Sequence, residues 1–153
     1  MTKEPTPEQK TIICDLDGTL CNIEHRLHFL DGKKDWDSFY GACPDDIPNL
    51  WCVSLIESMY AQGYSIVFVS GRRESTREQT VAWLQQYLKD GMWAELYMRK
   101  DGDYRKDSII KKEIYDEHLS ERNILFVLDD RRQVVDMWRE QGLVCLQVAE
   151  GNF

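Results

Sequence analysis

The chain has 153 residues, of which 42% are hydrophobic and 30% charged. This predicts one soluble globular domain and argues against extensive disorder. The net charge of -8 argues against a large nucleic-acid footprint driven by charge alone. No run is long and apolar enough to span a bilayer, and the polar start over 1–10 lacks the apolar stretch of a secretion signal, so a flexible N-terminus and a cytoplasmic location are expected. The five cysteines form no CxxC pair and are odd in number, which suggests reduced thiols rather than a zinc site or a disulfide framework.

Short β-branched or apolar runs at 11–14, 65–69, 94–98, 124–128 and 143–148 read as buried strands. Between them apolar residues recur at helical spacing: Leu50, Val53, Ile56 and Met59; Val81, Trp83, Leu84, Tyr87 and Leu88; Ile109, Ile110 and Ile114; Val134, Val135, Met137 and Trp138. Strands alternating with helices predict an α/β fold with a doubly wound parallel sheet. Residues 20–48 break this rhythm, with a charged middle, turn formers and the aromatics Trp36, Phe39 and Tyr40. They are expected to form a small cap-like insertion after the first strand, within a domain running from 11 to 153.

In such sheets ligands collect beyond the carboxyl ends of the strands. After the first run stands Asp15-Leu16-Asp17-Gly18-Thr19. A carboxylate can attack phosphorus if a cation screens the repulsion, and a second acid nearby can protonate the leaving oxygen. After the second stands Ser70-Gly71-Arg72, a hydroxyl and a guanidinium whose fork matches phosphate oxygens. The stretch Gly102-Asp103-Tyr104-Arg105-Lys106-Asp107 offers Lys106 as the ammonium that neutralises a transferring phosphoryl group, with Lys111 and Lys112 as competitors. The fourth strand run ends in Asp129-Asp130, hard oxygen ligands suited to magnesium. His25, His28 and His118 lack metal-binding spacing and read as surface or packing residues.

The order DxDGT, SGR, GDxRKD and a hydrophobic strand ending in DD resembles the haloacid dehalogenase (HAD) superfamily of aspartate-nucleophile phosphatases. More narrowly, DLDGTL, IVFVSGR, GDYRKD, LDDRRQVVDMWREQGLVC and QVAEGNF resemble the phosphatase domain of T4-type polynucleotide kinase/phosphatases. The superfamily resemblance implies a HAD-like Rossmannoid fold in which Asp15 forms an aspartyl-phosphate and Asp17 acts as general acid, then base. It also implies that Ser70 and Lys106 hold the phosphoryl group, and that Asp15, the Asp17 carbonyl and one of Asp129 and Asp130, with Asp130 favoured, bind Mg2+. The narrower family adds roles for Arg26, Arg72 and an acid in the segment of Asp103. No GxxxxGK[ST] phosphate loop is present, so 5′-kinase activity is not expected, and a separate kinase or ligase is the partner class implied.

The expected substrates are 3′-phosphorylated nucleic-acid ends, with 2′,3′-cyclic phosphates as a further class. Arg26, Arg72, Arg73, Arg77, Arg105 and Lys106 would form a basic rim. One alternative keeps the chemistry but takes mononucleotides or other small phosphate esters, with Trp36, Phe39 and Tyr40 closing over them. Another is a non-catalytic receiver-like signalling domain, disfavoured because such a domain needs no second aspartate at the position of Asp17.

Overall fold

The computed structural model describes residues 9–89 and 91–152. Most of the expected flexible N-terminus, residues 1–8, lies outside the described residues. Five strands, β1 (Thr11–Cys14), β4 (Ser65–Arg73), β5 (Glu95–Arg99), β6 (Ile124–Arg131) and β7 (Cys145–Gly151), form a parallel sheet ordered β5-β4-β1-β6-β7. The expected doubly wound parallel sheet is therefore present.

The period-2 alternation of a strand divides its side chains between two cores. Ile12, Cys14, Ile66 and Phe68 pack on one face, with Cys52 and Ile56 of α2 (Leu50–Ala61) and Trp83 and Leu84 of α3 (Arg77–Tyr87). Ile13, Val67, Val69 and Val127 point to the other. There they meet Val134, Val135 and Trp138 of α5 (Arg132–Glu140), and Ile114 at the end of α4 (Asp107–Ile114). A π turn, Tyr115–Leu119, continues α4.

Two strands run further than their apolar cores. β4 and β6 shift register after Val69 and Asp129, and their polar ends re-pair as Arg73 with Arg99 and Arg131 with Gly151. Ser70 to Arg73 and Asp129 to Arg131 therefore sit in strand backbone rather than in free loops. Because Cys14 is level with Phe68 and Leu128, the next residues, Asp15, Val69 and Asp129, emerge side by side at the carboxyl edge.

The segment 20–48 is built from pieces too short to show periodicity. A two-strand ribbon, β2 (Cys21–Asn22) with β3 (Ile47–Pro48), closes its base antiparallel. Between them come 3-10 turns at Glu24–Leu30 and Cys43–Asp45 and the short helix α1 (Trp36–Gly41), whose Asp35 side chain caps the Ser38 N–H. Among the described residues no helix is long and apolar enough to cross a membrane.

Candidate active site

Asp15, at the end of β1, is almost fully buried. Its Oδ1 accepts from Lys111 Nζ at 2.8 Å and its Oδ2 from Thr19 Oγ1 at 3.0 Å, so the carboxylate is held at both oxygens. Lys111 Nζ also donates to Asp129 Oδ2 at 2.9 Å, and Asp129 Oδ1 accepts the backbone N–H of Asp130. Gly18 completes this corner. Its φ of +83° suits a residue without Cβ, and a Cβ there would lie 2.2 Å from Asp130 Oδ2.

Asp17 faces a different set of partners. Its Oδ1 accepts from Arg26 Nη2 at 2.6 Å and from Arg72 Nε and Nη2 at 2.9 and 2.7 Å. Behind it Asp46, fully buried, accepts from Arg26 Nε and Nη2, Arg72 Nη2 and His25 Nε2. Two guanidiniums and two carboxylates form a charge-balanced quartet, which is how such groups are tolerated in the interior. Burial alone would raise the Asp17 pKa, but Arg72 and Arg26 outweigh it and hold the carboxyl down at about 2. Asp17 as it rests here is an ionised acceptor.

The structure redistributes several roles expected of the sequence. Arg26 and Arg72 are 0% exposed and spend their forks on Asp17 and Asp46, so they stand behind Asp17 rather than as an open phosphate clamp. Ser70 is buried at the strand end, its Oγ accepting the Arg72 N–H at 3.1 Å. Gly71 faces the site, and a Cβ there would lie 2.1 Å from Asp107 Oδ1.

Lys106 is not the lysine that meets Asp15. It occupies the N-cap position of α4 and lines the cavity, while Lys111, one turn into that helix, is buried with its ammonium between Asp15 and Asp129. Asp103 lines the cavity, but its carboxylate is taken by exposed Arg105. Asp107, also in the lining, is nearer the acids, 3.8 Å from Lys111 Nζ, 3.2 Å from Arg99 and 3.8 Å from Arg131.

A signal for both was available. Asp107, Ile110, Lys111 and Ile114 share the i, i+3, i+4, i+7 stripe, so an acid and a lysine occupy the face that α4 turns inward. Thr19 closes the DxDGT motif, whereas Asp46 and Arg99 carried no sequence signal that sets them apart from ordinary polar residues.

A cavity of about 600 Å³ opens over these groups. Asp15, Asp17, Asp129 and Asp130 line it together with aromatic and aliphatic residues of 20–48 and with Arg73, Arg99, Arg105, Lys106 and Arg131. Arg77 of the expected basic rim is instead tied to Glu74.

Oxygens of Asp15, Asp129 and Asp130 approach within 4.8 Å of one another. Lys111 donates to two of these three crowded acids, Asp15 and Asp129. Burial first, then Asp129, pushes Asp15 well above the usual carboxylate range and Asp130 up to about 6. Crowded, buried hard-oxygen donors fit a divalent cation such as magnesium.

This has a measurable consequence in the metal-free protein. Between about pH 4 and pH 6 folded Asp130 retains a proton that the unfolded chain has lost, so its contribution to stability falls as pH rises through that window. Magnesium should therefore raise the melting temperature more at about pH 8 than at about pH 5. Asp130→Asn should remove most of that difference. A magnesium shift equal at both pH values, measured by thermal melting, would exclude this site.

A family model described as the polynucleotide kinase PNKP phosphatase domain matches residues 9–153. Two chains from Pnkp1/Rnl/Hen1 complexes, one described as an RNA repair complex, superpose with TM-scores of 0.81 and 0.80 at 36% and 38% identity. They cover 100% and 99% of this chain but only 47% and 50% of their own lengths. A bifunctional polynucleotide kinase/RNA ligase of Autographa californica nuclear polyhedrosis virus is 28% identical over 132 residues, 86% of this chain and 18% of the viral one. The class C acid phosphatase of Bacillus anthracis, at 14% identity and a TM-score of 0.60 over 80% of this chain and 52% of its own, shares the fold. The chain thus spans about half the length of the Pnkp1 chains and under a fifth of the viral relative.

Proposed function

This chain belongs to the family of polynucleotide kinase phosphatase domains, HAD-type phosphatases, and from that premise we propose that it removes 3′-phosphate from nucleic-acid ends through an aspartyl-phosphate on Asp15. The observation that carries the reading is the Asp15 carboxylate held by Lys111 and Thr19 at the floor of a cavity it shares with Asp17, Asp129 and Asp130. The RNA-repair setting of the structural relative supports RNA ends.

A carboxylate oxygen of Asp15 attacks phosphorus, and the P–O3′ bond breaks. The departing O3′ takes a proton by way of Asp17, and water then cleaves the acyl phosphate, releasing inorganic phosphate and restoring Asp15. The Asp15 and Asp130 carboxylates and the Asp17 carbonyl would hold magnesium, which when bound would supply the positive charge that lets an anion approach a phosphate. Lys111 spreads further positive charge over Asp15 and Asp129; burial would discharge it, but those two acids, with Asp107, outweigh burial and keep it an ammonium.

Asp17 must gain a proton before it can give one. A phosphate dianion arriving beside it adds negative charge, which lifts its pKa. The grip of Arg26 and Arg72 thus holds Asp17 ready in orientation and unprotonated until substrate is bound. A separate kinase or ligase supplies the remaining steps of end repair in this reading, in keeping with the assemblies in which the Pnkp1 chains are found. The segment 20–48 acts as the small cap beside the site.

Phosphate release with magnesium from a 3′-phosphorylated oligonucleotide, a 5′-phosphorylated one and a 3′-mononucleotide tests this directly. Selective release from the 3′ end, lost in Asp15→Asn, is expected. Preference for the mononucleotide would replace it with a small-molecule nucleotidase, and Asp15-independent release would sink the mechanism.

A further inference from the structure

The cavity reaches well past the acids that a phosphoryl group needs. Its floor is Asp15, Asp17 and Asp130, but one side is a wall of Leu27 and Leu30 from the first 3-10 turn and Trp36, Phe39 and Tyr40 from α1. Trp36 and Tyr40, four residues apart and so on one helix face, lie nearly parallel at an interplanar angle of 24° with centroids 5.9 Å apart. Phe39 meets both edge-on, at 87° and 68°, and sets their tilt.

That wall is anchored to the reactive centre. The Arg26 guanidinium of the Asp17 quartet lies 4.4 Å over the Phe39 ring and donates to the Phe39 carbonyl. The Tyr40 hydroxyl donates to the carbonyl of Gly71 at the strand end, and Arg73 lies 5.2 Å over the Tyr40 ring. A core role accounts for Phe39, which is 5% exposed, but not for Trp36 at 36% or Leu27 at 42%. Lys34, an exposed side chain, lies 5.6 Å over the Trp36 ring.

An aromatic wall beside a phosphate-handling floor fits a molecule that carries an anionic group at one end and a flat unsaturated ring at the other. Resting on the phosphatase reading above, we propose that Trp36 and Tyr40, with Leu27, form a stacking site for the base of the terminal nucleoside whose phosphate lies over Asp15. Stacking uses the π-face common to all bases, so the site accepts any base. It discriminates instead against phosphate esters without a ring. Lys34 moves aside from Trp36 as the base enters and remains near the polyanion.

The test compares a 3′-phosphorylated oligonucleotide with one whose terminal, phosphate-bearing nucleoside lacks its base. In the native enzyme the abasic end is expected to raise KM by roughly ten- to hundred-fold, the size of one stacking contact. In Trp36→Ala the ratio between the two substrates should collapse toward one, and Trp36→Phe should restore most of it. The same ratio is read as Kd with Asp15→Asn by fluorescence anisotropy. Equal KM for the two ends in the native enzyme, or an undiminished ratio in Trp36→Ala, overturns the base site. Equal release from both ends would leave the phosphatase reading standing without the stacking site. Base-dependent binding without any release of 3′-phosphate would do the reverse.

Discussion

Lys111→Ala is expected to lower kcat for phosphate release by about 10²–10³-fold, the usual cost of losing one preorganised charge at a reacting group. Lys106→Ala should chiefly raise KM, and less so as salt is increased. The two lysines are five residues apart but differ in every physical respect. Lys111 is 1% exposed, with its ammonium 2.8 Å from Asp15 and 2.9 Å from Asp129. Lys106 occupies the N-cap position of α4 at the cavity edge and makes no ion pair among the described residues. Removing Lys111 also strands two buried carboxylates, at a cost of about 3–5 kcal/mol when a buried pair is broken. Kinetics must therefore be read at a temperature where circular dichroism shows both variants folded. Lys111→Gln keeps most of the volume and one donor, and should recover stability more than rate. Comparable kcat in the two alanine variants would return the phosphoryl-binding role to the helix start.

The difference between these lysines also shows what could be read from the residues alone. The apolar runs of β1, β4 and β6 are continuous because both faces of the sheet are covered, so they stand out, as does the Asp15 to Thr19 motif after the first. Residues 70–73 and 129–131 look like loops in the sequence because they are polar; they are strand because β5 and β7 offer shifted partners. The lysine was ambiguous for a similar reason. A charged helix start offers several ammonium groups, and choosing among them needs the 3.6-residue stripe that carries Asp107 and Lys111 inward, whereas proximity to a GDxRKD pattern favours Lys106.

Arg26 and Arg72 illustrate a different limit. Guanidiniums near a phosphate motif read as phosphate ligands, because nothing local to SGR announces that an aspartate 26 residues upstream will neutralise it. That aspartate lies in the segment 20–48, whose 3-10 turns and two-residue strands leave no periodic trace. The cap-like stretch thus hid the charge partner of the arginines, although its aromatics Trp36, Phe39 and Tyr40 stood out in the sequence.

Asp46 supplies the second large effect. Its carboxylate takes four hydrogen bonds, from Arg26 Nε and Nη2, Arg72 Nη2 and His25 Nε2, and touches nothing in the cavity lining through its own side chain except by way of the arginines that hold Asp17. Asp46→Ala is expected to cost about 3–5 kcal/mol, since two guanidiniums would share one remaining acid. That is a large part of the 5–15 kcal/mol typical of a domain. Asp46→Asn is the informative variant, because it preserves shape and two acceptor lone pairs. With one negative charge gone, both guanidiniums bear more strongly on Asp17 and lower its pKa further. Protonation of the leaving oxygen then suffers, by up to about 10²-fold within the range of general-acid contributions. A nucleoside O3′ needs that proton, whereas p-nitrophenolate leaves without one. The loss in kcat should accordingly be large for a 3′-phosphorylated oligonucleotide and small for p-nitrophenyl phosphate. An equal loss on both substrates would reduce Asp46 to a structural counter-ion, and a preserved rate on the oligonucleotide would show that the quartet does not govern Asp17.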